Sequence, residues 1–154
     1  MRPGRWDRNS ALILLLCLLV GGCASQRAAD PTATPSHSRD GLVNVRWPLT
    51  QVVGPDGTVS IPASLDSWFE VTSGNAVQGY NGCSFFDGTG HRSAQEFTAS
   101  DVTTAANGCT SGPGPLDAAI NGFDHVLNGQ QARVWLSGKE LRLTAGKYTL
   151  VFAY

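Results

Sequence analysis

Short runs of alternating apolar and polar residues make up most of the chain from residue 42 onward, a pattern typical of half-buried β-strands. The alternation and its turn signals predict strands over 42–53, 58–61, 67–72, 76–80, 96–105, 132–136, 141–143 and 148–154. A hairpin turn at Ser137-Gly138-Lys139 is expected to join two of them. By contrast, residues 87–95 are mostly polar and include Gly88 and Gly90, which predicts an exposed loop.

One segment has the period of a helix. Pro115 suits the first helical position, and Gly129 suits a helix end. The apolar face holds Leu116, Ala119, Ile120, Phe123 and Leu127. The opposite, polar stripe holds Asp117, Asn121, Asp124 and Asn128. We therefore predict a single α+β domain, in which one α-helix packs on a curled, barrel-like antiparallel β-sheet.

The first 22 residues are typical of a bacterial lipoprotein signal peptide. Three arginines precede an apolar run of about ten residues, which is too short to span a bilayer. The run ends in Leu19-Val20-Gly21-Gly22-Cys23, the arrangement of a lipobox. We predict cleavage after residue 22 and lipidation of Cys23. The alternative is an ordinary secretory signal that is cut after Ala24 or Ala28.

Residues 23–41 are predicted to be a disordered tether. The segment is rich in Ala, Ser, Thr and Pro and has no large apolar side chain, so it cannot bury enough surface to offset its ordering entropy. Residues 42–154 have the composition and length of one globular domain. We expect this domain in the cell envelope, lipid-anchored to the outward-facing side of a bacterial membrane.

Charge argues against one class of partner. Without residues 1–22 the chain keeps eight basic and eleven acidic residues, a formal charge of −3. These charges are scattered singly, and no cluster of Lys or Arg is present to release counterions from a phosphate backbone. We therefore expect no nucleic-acid partner. The lipid anchor would contact the membrane, and the domain would contact an envelope protein or a small ligand.

The predicted domain contains two cysteines, Cys83 and Cys109, and each ends the tripeptide Asn-Gly-Cys. An isolated pair in an oxidising compartment favours a disulfide. With a separation of 26 positions, the loss of chain entropy in the unfolded state would stabilise the fold by about 3.5 kcal/mol. The alternative is two separate buried thiols. The absence of a Cys-x-x-Cys motif argues against a redox-active pair.

Several short motifs occur in a fixed order: Trp47-Pro48-Leu49-Thr50, Gly79-Tyr80-Asn81-Gly82-Cys83, Cys109, the predicted helix, Leu141-Arg142-Leu143 and Leu150-Val151-Phe152. Over about residues 45–154, this order resembles the META domain of HslJ-like heat-shock lipoproteins. Ser84 stands where that family usually has Asn. The resemblance implies an envelope protein of the stress-response or secretion-related kind and carries over no catalytic residue.

No catalytic constellation is evident, and we predict a domain that is not an enzyme and has no cofactor and no metal. Asp117 and Asp124 share a helix face, for which a solvated surface is a sufficient explanation. His125 lies near the helix end, where the dipole favours a cation. A hydrolase is the alternative from a different class, and its site would have to be assembled from Ser84, Asp87, His91 and His125.

Tryptophans are the remaining candidates for recognition. Trp47 and Trp68 are expected in the core. Trp135 points outward if Val134 and Leu136 face the core, which makes it a candidate recognition surface; a core position under a loop or the helix is the alternative. The predicted function is binding or an envelope-stress role. A purely structural envelope protein is a further alternative, and it would lack a sizeable pocket or apolar patch.

Overall fold

The structure is a computed structural model that describes residues 39–93, 95–105, 107–110 and 112–154. The predicted signal peptide at 1–22, the predicted lipidation site Cys23 and most of the predicted tether lie outside these residues. In the described part of the chain, no helix is both long enough and apolar enough to cross a membrane.

The described residues form nine strands, one α-helix and two short 3-10 helices. The strands are β1 (Trp47–Gly54), β2 (Gly57–Ser60), β3 (Trp68–Val71), β4 (Ala76–Tyr80), β5 (Phe85–Arg92), β6 (Glu96–Thr104), β7 (Gln131–Ser137), β8 (Glu140–Ala145) and β9 (Tyr148–Ala153). The helix α1 spans Pro115–Leu127, and the 3-10 helices span Arg39–Leu42 and Ala63–Leu65.

Strand β1 closes the sheet into a barrel because it pairs along both of its edges. One edge pairs with β9, where Leu49 lies opposite Phe152 and Val52 lies opposite Leu150. The other edge pairs with β3 at its start and with β2 at its end. Strands β1 and β3–β9 therefore form a closed antiparallel barrel of eight strands, with β2 beside β1. The predicted fold class is confirmed.

Inward-facing aromatic side chains fill the barrel. Phe69 is fully buried, and its ring meets Phe97 edge-on at 5.6 Å between centroids and Phe152 at 5.7 Å. Side chains along a strand point alternately into and out of the barrel, and these three phenylalanines point inward. Together with the other inward-facing residues they form one continuous core.

Helix α1 packs on this core near the end of β1. The Phe123 ring lies 5.0 Å from the Phe86 ring and 6.1 Å from the Phe152 ring. A Cβ atom at Gly122 would lie 2.8 Å from Leu150 Cδ2 and 3.0 Å from Val52 Cγ1, so a larger residue would have to displace these side chains for the helix to come this close. The helix thereby places the residues that follow Gly122 directly against β5 and β9.

The segment predicted as an exposed loop at 87–95 is largely a strand, and that prediction was wrong. Strand β5 covers Phe85–Arg92 and pairs with β4 on one side and β6 on the other. Its glycines mark close packing, not a turn. A Cβ at Gly88 would lie 2.9 Å from the Ser100 carbonyl oxygen, and one at Gly90 would lie 2.9 Å from Phe97 Cε2.

The first strand is shorter than predicted, since it begins at Trp47 and not at residue 42. Leu42 ends a 3-10 helix, and Asn44 adopts a left-handed φ of 56°. The Asn44 N–H donates to the Val71 carbonyl oxygen at 2.7 Å, and Asn44 Oδ1 accepts from the Ser73 N–H at 2.9 Å. These bonds turn the chain before it enters the barrel.

Candidate functional site

Trp135 lies on the outer face of β7 and is 42% exposed, while Val134 and Leu136 are half-buried. Its cross-strand neighbour on β8 is Arg142, whose guanidinium carbon lies 5.1 Å from the indole centroid. Arg142 Nε also donates to Glu140 Oε1 at 2.6 Å. We refer to Trp135, Glu140 and Arg142 as the Trp135 surface. Its two charged groups neutralise each other.

Trp47 and Trp68 are buried, as expected, at 1% and 9% exposure. The Trp47 ring packs against Tyr154 at 5.0 Å, and the Arg46 guanidinium covers Trp68 at 3.9 Å from its ring centroid. Among the described residues, neither indole N–H has a hydrogen-bond partner. Both tryptophans therefore contribute packing and offer no open recognition surface.

Cys83 and Cys109 form a disulfide, with Cα atoms 6.0 Å apart. The bond joins the turn between β4 and β5 to the loop that leads from β6 into α1. Asn107 reinforces this junction, because its Nδ2 donates to the Cys83 carbonyl oxygen at 3.0 Å. The junction fixes the position of the β4–β5 turn relative to the loop that enters the helix.

Asn81 organises the β4–β5 turn from a position that is only 4% exposed. Its Oδ1 accepts hydrogen bonds from the backbone N–H groups of Cys83 at 2.9 Å and Ser84 at 2.8 Å. Since an acceptor is required there, the orientation of the amide is fixed. The remaining donor, Nδ2, has no hydrogen-bond partner among the described residues.

Asn81 contributes to the lining of a cavity of about 290 Å³ between α1 and the strands β5 and β6. The apolar lining residues are Phe86, Val102, Phe123 and Leu127. The polar lining residues are Asn81, Thr104, Asp124 and Asn128. We refer to this space as the helix cavity. Its volume lies near the lower end of the range for small-molecule pockets, about 300 Å³.

Asp124 places a carboxyl group at the solvent-exposed rim of the helix cavity. Burial raises the pKa of this carboxyl above its ordinary value of 3.8, and the nearby charge of His125 opposes that shift. Among the described residues, the carboxylate has no hydrogen bond or ion pair. The His125 ring stacks on Tyr148 at 4.1 Å instead.

The polar stripe of α1 therefore has two parts. Asp117 and Asn121 lie outside the cavity lining and bond each other, with Asn121 Nδ2 donating to Asp117 Oδ2 at 3.0 Å. Asp124 and Asn128 line the helix cavity. Asn121, Asp124 and Asn128 are exposed and Asp117 is half-buried, so the interpretation of the stripe as a solvated face holds, and two of its members also line the cavity.

The residues of the hydrolase alternative are not brought together in the described part of the chain. Ser84 is 6% exposed, and its hydroxyl contacts Cys83 Sγ at 3.5 Å. Asp87 Oδ1 accepts from the Thr103 hydroxyl at 3.2 Å, and His91 is exposed on β5. Within the same residues, no three His, Cys, Asp or Glu side chains gather where they could hold a metal ion.

The helix cavity is not predictable from the sequence pattern. Its walls come from one turn, two strands and a helix, and no local period connects Asn81, Val102 and Phe123. One signal was present, because the Asn-Gly-Cys tripeptide occurs twice. Each of its asparagines uses its side-chain amide at the disulfide junction. The repeated tripeptide therefore indicates the residues that hold the disulfide junction together, in addition to the two cysteines.

No family model and no curated protein matches the chain. Solved structures share its fold. An NMR structure of a protein from Burkholderia xenovorans is 17% identical with a TM-score of 0.55, covering 74% of this chain and 83% of that one. A second NMR structure is 24% identical with a TM-score of 0.52, covering 70% of this chain and 86% of the other. At these identities the likeness shows the fold alone, and membership of the META family stays a prediction.

Proposed function

We propose that this chain is a lipid-anchored protein of the bacterial cell envelope whose barrel binds a small ligand in the helix cavity without catalysing a reaction. The observation that carries the proposal is that one cavity combines apolar walls with two unpaired polar groups, Asn81 Nδ2 and the Asp124 carboxylate. Ligand pockets also combine apolar residues with a small number of polar groups that orient the ligand. Asn81 is buried, so a ligand that accepts a hydrogen bond from its Nδ2 can offset the cost of removing that donor from water.

Two observations favour ligand binding over the alternatives. A purely structural envelope protein requires no pocket, whereas this domain has a cavity of about 290 Å³. A hydrolase requires a nucleophile next to a base, whereas the Ser84 hydroxyl contacts a disulfide sulfur. The resemblance to the META domain implies an envelope protein without catalytic residues and is consistent with this choice.

Attachment to the membrane is supported by the lipobox that ends at Cys23. Cys23→Ser removes the acyl acceptor and the lipobox cysteine, and we expect mass spectrometry to find this variant without an acyl chain and with residues 1–22 uncleaved. Cys17→Ser, within the signal sequence, is the matched control and should be cleaved and acylated as the wild type is. An unacylated Cys23 in the mass spectrum of the wild type would contradict lipid anchoring.

Ligand binding is tested by two neighbouring positions on β6. Thr104 lines the helix cavity, whereas Thr103 points outward and donates its hydroxyl to Asp87. Thr104→Trp fills the cavity, and Thr103→Trp adds the same side chain outside it. When a chemically diverse library of small compounds is added, we expect ligands to shift the amide NMR signals of cavity residues in the wild type and in Thr103→Trp. Thr104→Trp should abolish these shifts.

Three outcomes would refute the cavity as the binding site. The first is that ligands shift the amide NMR signals of Thr104→Trp as they shift those of the wild type. The second is that ligands shift only the signals of the Trp135 surface. The third is that no compound in the library shifts the signal of any cavity residue. Well-dispersed spectra of both variants serve as the control for folding.

A further inference from the structure

The polar and apolar groups of the helix cavity together specify a kind of ligand. We infer that the cavity takes the amino-terminal residue of a peptide, with its free ammonium group at Asp124, its carbonyl oxygen at Asn81 and an apolar side chain against the phenylalanines. This inference rests on the proposed ligand-binding function and names the chemistry that the ligand would carry.

The ammonium group follows from Asp124. Its carboxylate lies at the cavity rim, partly shielded from water, and has no ion pair among the described residues. A ligand cation offsets that desolvation better than a neutral group does. His125 supplies the nearby ionisable charge, and its ring stacks on Tyr148, so it does not occupy the carboxylate. The other described lining residues are uncharged.

The carbonyl group follows from Asn81. Its Oδ1 is committed to the backbone N–H groups of Cys83 and Ser84, which leaves Nδ2 as a donor of fixed direction. A donor of this kind selects an acceptor on the ligand. Because Asn81 and Asp124 line the same cavity, a ligand that carries a carbonyl oxygen beside an ammonium group has a partner for each of them. Capture of a peptide amino terminus is a recurrent recognition mode.

The size of the helix cavity limits the part of a ligand that it can enclose. A sphere of about 290 Å³ is about 8 Å across, and the nitrogen and carbonyl oxygen of one residue lie about 3 Å apart. Phe86 and Phe123 form the floor of the cavity with 4% and 2% of their surfaces exposed, and half-buried Val102 adds apolar surface beside them, so there is room for a small apolar side chain. Asp124 and Asn128 are exposed, so the cavity opens to solvent beside the helix. The remainder of a peptide can leave through that opening.

Four small probes separate these features in titrations of the full-length protein in detergent micelles at pH 7.5. Leucinamide carries the ammonium, the carbonyl and the apolar side chain. N-acetyl-leucinamide lacks the ammonium, 3-methylbutylamine lacks the carbonyl, and glycinamide lacks the side chain. We expect leucinamide to bind most tightly. N-acetyl-leucinamide and glycinamide should bind at least about tenfold more weakly than leucinamide. 3-Methylbutylamine should bind about fivefold more weakly than leucinamide.

Two variants assign each preference to its residue. Asp124→Asn should remove the preference for leucinamide over N-acetyl-leucinamide. Asn81→Asp keeps the acceptor that the turn needs and removes the donor, so it should abolish the preference for leucinamide over 3-methylbutylamine. Trp135→Ala should leave every dissociation constant unchanged and is the matched control.

Different results overturn different conclusions. If N-acetyl-leucinamide binds the wild type as tightly as leucinamide, the ammonium inference is wrong, while ligand binding in the cavity stands. If none of the four probes shifts the cavity signals and library compounds do, the inference fails alone. If neither probes nor library compounds bind, the proposed function fails with it.

Discussion

The helix cavity and the Trp135 surface differ in how far their polar groups are already satisfied. On the Trp135 surface, Arg142 bonds Glu140 at 2.6 Å and also lies over the indole at 5.1 Å. These residues belong to one hairpin, β7–β8. In the helix cavity, Asn81 and Asp124 come from segments far apart in the chain, and each keeps an unpaired group among the described residues.

This difference indicates where binding energy is available. A solvated ion pair on a strand surface contributes little, about 0–1 kcal/mol, and a new partner must first displace it. A partly desolvated donor or carboxylate gains more from a ligand, because its hydration has already been reduced by folding. An exposed tryptophan alone is therefore weaker evidence for a recognition site than two unpaired polar groups in one cavity.

The largest expected difference between the two regions is in the free energy of unfolding that is lost when Phe123 or Trp135 is replaced by Ala. Phe123 is 2% exposed and packs against Phe86 and Phe152. Phe123→Ala should therefore lower the free energy of unfolding by about 3–5 kcal/mol. Trp135→Ala removes a half-exposed ring and should cost about 1 kcal/mol or less. Urea unfolding monitored by circular dichroism measures both.

Phe123→Leu is the control for the first substitution, since it keeps most of the apolar volume and should cost about 1.5 kcal/mol. Equal losses of stability for Phe123→Ala and Trp135→Ala would show that the cavity wall is not part of the core.

Opening the disulfide should affect the cavity and spare the Trp135 surface. The Cys83→Ser/Cys109→Ser double variant loses a crosslink over 26 positions, and we expect about 3.5 kcal/mol less stability. Changes in amide chemical shift should concentrate around Asn81 and α1, while the β7–β8 hairpin keeps its signals. The wild type in excess reductant is the matched control and should behave like the double variant. An unfolding free energy that reductant leaves unchanged contradicts the prediction.

The smallest effect is the change in the free energy of unfolding when one carboxylate is neutralised in each region. We expect this change to have opposite signs in the two regions. Burial raises the pKa of Asp124, so the folded state holds this proton more tightly than the unfolded state does. The ionised carboxylate therefore destabilises the fold above its raised pKa, and the penalty is lost as the pH falls towards 3.8. Asp124→Asn should increase the free energy of unfolding at pH 7 by a few tenths of a kcal/mol.

The difference between Asp124→Asn and the wild type should vanish in acid, which a series of urea unfolding curves at different pH values measures. Glu140→Gln is the counterpart on the Trp135 surface. It removes the ion pair with Arg142 and should decrease stability at pH 7 by a few tenths of a kcal/mol. The same sign for both variants would remove the electrostatic distinction between the two regions.

Local periodicity was enough to predict most of the elements. The alternation at 76–80 and 96–105 corresponds to β4 and β6, and the helical spacing after Pro115 corresponds to α1. Strand β5 was not predicted, because Gly88 and Gly90 are typical of turns when only their neighbours in the sequence are considered. Their actual role depends on Ser100 and Phe97, which approach them from the neighbouring strand.

The same distinction applies to the candidate sites. The direction of Trp135 depends on its immediate neighbours, Val134 and Leu136, and the sequence left it open between the surface and the core. The helix cavity depends on long-range closure, because Asn81 reaches it through the β4–β5 turn and Asp124 through the docking of α1. The spacing of residues within one segment of the sequence does not indicate that two distant segments come into contact. The raised pKa of Asp124 has the same origin, since only the assembled cavity shields the carboxyl.

The pairing of β1 with β9 imposes an order on assembly. The Thr50 hydroxyl donates to the Val151 carbonyl oxygen across 101 positions, so the seam is completed by the last strand described. A chain emerging from a ribosome therefore keeps one edge of β1 unpaired until that strand is free. A truncation that removes β9 would leave two open strand edges, and we expect it to self-associate instead of forming a smaller barrel.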